Sequence, residues 1–135
     1  MSERFETVII GGGQAGLAVG YHVAKAGRSF VVLEANDRIG DNWRNHYDSL
    51  RLYSPARFNA LPGWAGDLEP WTYPTKDDMA DYLEDYARRF ELPVITGVCV
   101  DRSSAPIRSR SSAILSASTS ACSLRRSSSA TVRAI

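Results

Sequence analysis

Cysteine is scarce in this chain of 135 residues: Cys99 and Cys122 are the only two. So small a number suggests neither a disulfide framework nor a metal cluster. Long apolar runs are missing too, and the longest is far too short to span a bilayer. The opening MSERFETVII has neither the basic flank nor the long apolar core of a signal peptide. A reducing cytoplasm is therefore the expected compartment, with no membrane partner and no bound metal. No internal repeat occurs, and no metal-dependent or Ser/His/Asp hydrolase motif. No residue can be named as catalytic from the sequence.

A second deficit is local. Residues 103–135 contain no acid, no glycine and no aromatic residue, but twelve serines and five arginines. All ten glycines, all thirteen aromatics and all fifteen acids precede them. The formal net charge of +1 thus hides a division. Residues 1–102 hold 11 basic and 15 acidic side chains, a net −4, and the remainder carries +5. Composition places a boundary near Arg102, and the two sides are read separately.

The stretch TVIIGGGQAGLAVGYHVAKAGRSFVVLE carries the chemistry. Thr7–Ile10 is a short β-branched run of the kind a buried parallel strand needs. Gly11, Gly13 and Gly16 then form G-x-G-x-x-G. A helix should follow, with Ala15, Ala18, Val19, His22, Val23 and Ala26 on its inward face and His22 packed there. Gly27 stands where a left-handed cap belongs. Residues 29–33 read as a second strand that ends at Glu34. Each glycine has its own reason. Gly11 permits the tight turn, Gly13 lets a pyrophosphate approach the backbone, and Gly16 lets the helix pack closely. The helix start at Gln14, Ala15 and Gly16 offers N–H groups and a positive dipole end to phosphates. Glu34 can accept hydrogen bonds from ribose hydroxyls and would repel a 2′-phosphate, which argues against NADP in this site. A lone G-x-G-x-x-G is a weak signal and can be a merely structural turn. Here it has the strand, the helix and the acid at the spacing a dinucleotide site needs.

Downstream, Glu34, Gly40 and Trp43 form E-x5-G-x2-W. With this motif the chain resembles the class B flavoprotein monooxygenases, the group that holds the flavin-containing and Baeyer–Villiger monooxygenases. Asp41 stands where their usual form has a second glycine. YDSLRLYSP, LPGW and YPTKDDMADYLEDYARRFELPV continue the likeness over residues 6–102, with Tyr53 where flavin-containing monooxygenases often have asparagine. The resemblance implies a doubly wound, Rossmann-type parallel sheet that is incomplete here. It implies FAD as cofactor, with Glu34 on the adenosine ribose, the Gly40–Trp43 turn beside the diphosphate and flavin, and Val100 offering backbone contacts to the adenine. In that family NADPH reduces the flavin, which then activates O2 to oxygenate a soft heteroatom or carbonyl of a small molecule. No second G-x-G-x-x-G for NADPH, and no substrate pocket, is visible. Disulfide reductases place a redox cysteine pair soon after the first acid. This chain has no cysteine before Cys99.

The remaining elements read as structural. Thr75 and Asp78 suggest a capping box. Met79, Leu83, Tyr86, Ala87 and Phe90 form the buried stripe of a helix whose acids face solvent. Residues 93–100 read as a third strand, and Trp64 and Trp71 as loop anchors. Residues 103–135 have the composition of GC-rich coding DNA read out of frame. They are expected to be disordered, through a frameshift near codon 102 or 103 or as a natural basic tail. Nucleic acid is not the expected partner, because such a tail lacks aromatics for stacking. The leading expectation is thus the N-terminal FAD-binding portion of a truncated, flavin-dependent, NADPH-using monooxygenase or oxidoreductase. The alternatives are a stand-alone dinucleotide-binding module and an inert truncated product whose tail holds anions nonspecifically.

Overall fold

A computed structural model describes residues 3–100 and 113–115. The elements in order are β1 (Glu3–Phe5), β2 (Thr7–Ile10), α1 (Gln14–Lys25), β3 (Phe30–Leu33), α2 (Asp41–Arg44), a 3-10 turn (Ala56–Phe58), α3 (Lys76–Arg89), β4 (Val94–Ile95) and β5 (Ala113–Leu115). Strands β2, β3 and β4 form an open parallel sheet in that spatial order. This is one half of a Rossmann-type sheet, with β3 in the middle. Strand β1 pairs antiparallel with β5. That pair was not anticipated, since β5 falls within the Ser/Arg-rich stretch expected to be disordered. Otherwise the expectations for residues 103–135, disorder or frameshift, lie outside the described residues.

The FVVL sequence of β3 explains its central place. All four residues are buried, and alternate side chains enter two different cores. Phe30 and Val32 join Ile9, Leu17, Met79, Leu83 and Tyr86 beneath α1 and α3. Val31 and Leu33 pack with Val98 on the other face. Strand β4 is shorter than the eight-residue strand expected, because Gly97 turns the chain at a φ of +73°. Cys99 is disulfide-bonded.

Helix α1 turns a different face inward from the one its apolar spacing implied. Leu17 and Gly20 are buried, whereas Val19, Ala15 and His22 are exposed. The cause is close packing through glycine. A Cβ on Gly20 would stand 3.2 Å from the Phe30 ring, so the helix approaches the sheet along this side. His22 is therefore a surface residue whose ring meets Tyr21 edge-on. Gly27 takes the left-handed conformation expected of it, with φ +68°.

Helix α3 follows its sequence closely. Thr75 and Asp78 make the reciprocal capping box, and Met79, Leu83, Tyr86 and Ala87 are buried. Its acids do more than face water. Asp78 caps, while Asp81 and Glu84 bind Arg44. Trp64 stacks on Tyr82 with ring centroids 5.3 Å apart, as a loop anchor should. Trp71 does not anchor anything in the core. It is 66% exposed and holds only Phe58 and Arg57.

Candidate functional site

The turn from β2 into α1 is built from three glycines that are needed for three different reasons. Gly11 has φ +100°, which a residue with a Cβ rarely adopts. Gly16 could not carry a Cβ at all, because it would fall 1.8 Å from the Gly11 carbonyl oxygen. So Gly16 closes the turn on itself, besides bringing the helix near Ile9. Gly13 is unlike both. Its φ of −80° suits any residue, and a Cβ there would meet no atom within 4 Å. Among the described residues, packing supplies no reason for glycine at Gly13.

Gly13 is also the N-cap of α1, and it has no side chain to cap with. No acid lies in the first turn. The leading N–H groups of Gln14, Ala15 and Gly16, together with the positive end of the helix dipole, are thus available to an anion.

Glu34 sits directly across from this turn, at the end of β3. It is 8% exposed. Its Oε2 accepts a hydrogen bond from the Gly12 N–H at 2.6 Å. Its Oε1 accepts two from Asn36, one from the backbone N–H at 2.9 Å and one from Nδ2 at 2.7 Å. A buried carboxylate needs such donors to offset the loss of hydration. The Val98 N–H donates to the Glu34 carbonyl at 2.9 Å, and this ties the segment leading to Val100 beside the acid. Val100 itself packs partly buried against Val31, Leu33 and Val98.

Gly12 and Asn36 were missed in the sequence. The run of three glycines held the signal for Gly12. A Cβ there would press on the Glu34 side chain at 3.0 Å. An asparagine two residues after the acid held the signal for Asn36.

Gly40 and Trp43 lie further along, Gly40 as the N-cap of α2 and Trp43 within it. Gly40 has φ +88°, and a Cβ on it would come within 2.6 Å of the Ala80 carbonyl oxygen. Its glycine is thus explained by packing on α3. Trp43 packs against the main core, and its indole Nε1 is buried with no acceptor among the described residues. Arg44 fastens the same turn. It donates to the Ile39 carbonyl at 2.7 Å and to Asp41, Asp81 and Glu84 at 2.9–3.1 Å. Hydrogen bonding from the Arg38 guanidinium, which also reaches Glu84, holds that carboxyl below the usual carboxylate range. Lys76 is buried and donates to the Arg44 carbonyl at 3.1 Å.

The structure therefore brings Gly11, Gly13, Gln14, Ala15, Gly16 and Glu34 together, with Val100 on the segment beside Glu34. Gly40 and Trp43 belong to a separate turn held by α3. A cavity of about 200 Å³ between the 56–68 loop and α3 is lined by Ala56, Trp64, Leu68, Met79 and Tyr82 among others, and by none of the glycine-turn residues. Among the described residues no group of His, Cys, Asp or Glu could hold a metal ion. No helix there is long and apolar enough to cross a membrane.

Comparison with known proteins gives a consistent picture. Residues 8–105 match the family model described as pyridine nucleotide-disulphide oxidoreductase. The chain is 50% identical over 94 residues to an uncharacterized CzcO-like oxidoreductase of Geobacillus kaustophilus, covering 70% of this chain and 27% of that protein. It is 42% identical over 88 residues to the indole-3-pyruvate monooxygenase YUCCA6 of Arabidopsis thaliana, covering 63% and 21%. Among solved structures it is similar to a flavin-containing monooxygenase from Stenotrophomonas maltophilia. The TM-score is 0.70 at 30% identity, covering 96% of this chain and 36% of that one. The chain thus spans about a quarter of the length of the curated relatives it matches.

Proposed function

Because this chain belongs to the pyridine nucleotide-disulphide oxidoreductase family, and there to the flavin-dependent monooxygenases and oxidoreductases, we propose that it forms the adenosine-diphosphate part of an FAD site in an NADPH-using monooxygenase. The observation that carries this reading is Gly13. It is a glycine that neither backbone angle nor packing requires, at the uncapped start of a helix, across from a buried carboxylate.

The residues present fit the cofactor. Gly13 keeps the approach to the backbone clear, and the N–H groups of Gln14, Ala15 and Gly16 face the diphosphate. Glu34 accepts from the adenosine ribose, and its charge disfavours a 2′-phosphate. Val100 contacts the adenine through its backbone. Gly40 sets the turn that carries Trp43, whose unpartnered indole N–H is a donor for the flavin end. FAD, when bound, supplies the redox chemistry that activates dioxygen with electrons from NADPH. The side chains here bind and orient it. The family description mentions disulphide chemistry, but no cysteine precedes Cys99. The monooxygenase relatives support oxygenation instead. The substrate is a small molecule.

Calorimetric titration of the 135-residue chain with ADP tests the reading. Binding is expected, and Glu34→Ala should weaken it roughly 10–100-fold, the loss of one charge-assisted hydrogen bond. ADP binding that ignores Glu34→Ala, or no binding at all, would overturn the assignment.

A further inference from the structure

Counting acceptor sites on Glu34 leads beyond a ribose-binding acid. An ionised carboxylate offers about two acceptor positions on each oxygen. On Oε1 both are taken, one by the Asn36 backbone N–H at 2.9 Å and one by Asn36 Nδ2 at 2.7 Å. On Oε2 one is taken by the Gly12 N–H at 2.6 Å. Among the described residues no other donor reaches the carboxylate, so one position remains, and it is on Oε2. The orientation of the Asn36 amide follows from chemistry, since only its NH2 can face a carboxylate at that distance. The arrangement is also rigid. Glu34 is buried, Gly12 is pressed against its side chain, and Asn36 lies on the turn that immediately follows β3.

Resting on the reading of this turn as the adenosine-diphosphate site, we propose that Asn36 is a specificity-determining positioning residue. It withdraws Oε1 from the ligand, so that Glu34 reads one ribose hydroxyl and not both. Two hydroxyls presented to a free carboxylate would each find an oxygen. Here the second hydroxyl meets an oxygen whose acceptor positions are already filled. The ligand class is an adenine ribonucleotide with an unsubstituted ribose. Its recognition is asymmetric between the 2′ and 3′ positions.

The test uses the full 135-residue chain and three probes: ADP, 2′-deoxy-ADP and 3′-deoxy-ADP. In the wild type, one deoxy analogue should bind about tenfold more weakly than ADP, while the other stays within about twofold. Asn36→Ala frees one acceptor position on Oε1. Both deoxy analogues should then lose affinity relative to ADP, so the asymmetry collapses. Asn36→Leu, close to asparagine in shape and without a donor, provides a second variant and should shift the pattern the same way. Thermal midpoints and circular dichroism confirm that each variant is folded. A purely structural role would move the midpoint and leave the ratio between the two analogues alone.

Equal losses for the two analogues in the wild type would overturn the proposal while leaving the site itself standing, provided that ADP binding depends on Glu34. An unchanged ratio in both folded variants would overturn it in the same way. Failure of the wild type to bind ADP would remove the site and the proposal together.

Discussion

Gly13 and Gly16 lie three positions apart in one motif, yet their substitution should have opposite consequences. Gly16→Ala drives a Cβ into the Gly11 carbonyl oxygen, so the turn must open. A loss on the order of 2–4 kcal/mol is expected in chemical denaturation, together with loss of ADP binding. Gly13→Ala meets nothing among the described residues and has an ordinary φ. Its midpoint should stay within about 0.5 kcal/mol of the wild type, while ADP affinity falls at least about tenfold. A Gly13→Ala variant that is stable and binds ADP normally would remove the main support for a phosphate at this turn. The motif spacing was legible in the sequence because a strand, a tight turn and a helix leave few residue choices. The division of labour among the glycines was not. It depends on which atom stands opposite each Cα.

Helix α3 is the element that holds the site's outer turn, and its two ends respond to different tests. Thr75→Ala removes the cap to the Asp78 N–H and should cost about 1 kcal/mol in thermal or chemical denaturation. Near the other end Tyr86 is fully buried, its hydroxyl donating to the Pro62 carbonyl. Burial pushes its pKa up to about 12, from an ordinary 10.0. A raised value means that the folded state keeps the proton longer. The contribution of Tyr86 is therefore complete below pH 10 and lost as pH rises toward about 12. Stability should fall by on the order of 2 kcal/mol across that window, and Tyr86→Phe should flatten the slope. Glu84 works in the opposite sense. Its pKa is lowered, mainly through its hydrogen bond from Arg38, so its contribution is present above about pH 4.5 and fades as acid is added. The buried stripe of α3 was legible because its 3.6-residue period is unbroken. On α1 the same reasoning chose the wrong face. Gly20 adds nothing to an apolar pattern, yet a Cβ on it would stand 3.2 Å from the Phe30 ring.

At the scale of the whole molecule, the sheet order places β2 at one edge. Among the described residues it is paired only with β3. An apolar strand edge with free N–H and C=O groups is a template for self-association. Ile10, 58% exposed at the end of that strand, adds to it. Concentration-dependent growth in particle size is expected by dynamic light scattering. Ile10→Lys should reduce it by placing a charge on the edge. A particle size independent of concentration would show that the β2 edge is covered. The proposed nucleotide site lies at the carboxyl end of β2 and β3. The chain is expected to purify without the yellow of bound flavin. Stoichiometric flavin on the purified 135-residue chain would instead favour a stand-alone cofactor-binding module.

The sequence by itself determined the Rossmann-type class, the glycine turn, the acid at the end of the second strand and the capped helix. All of these are written in short-range spacing, and backbone sterics and hydrogen bonding leave few other solutions. The tertiary structure decided what depends on contacts between distant segments. The Gly12 N–H meets Glu34 of the next strand, Gly40 is glycine because Ala80 of α3 covers it, and Arg44 joins α2 to two acids of α3. Such choices depend on which side chains meet across as many as 40 positions of sequence. No local period carries that information, because packing and acceptor geometry become specified only once the sheet and helices are in place.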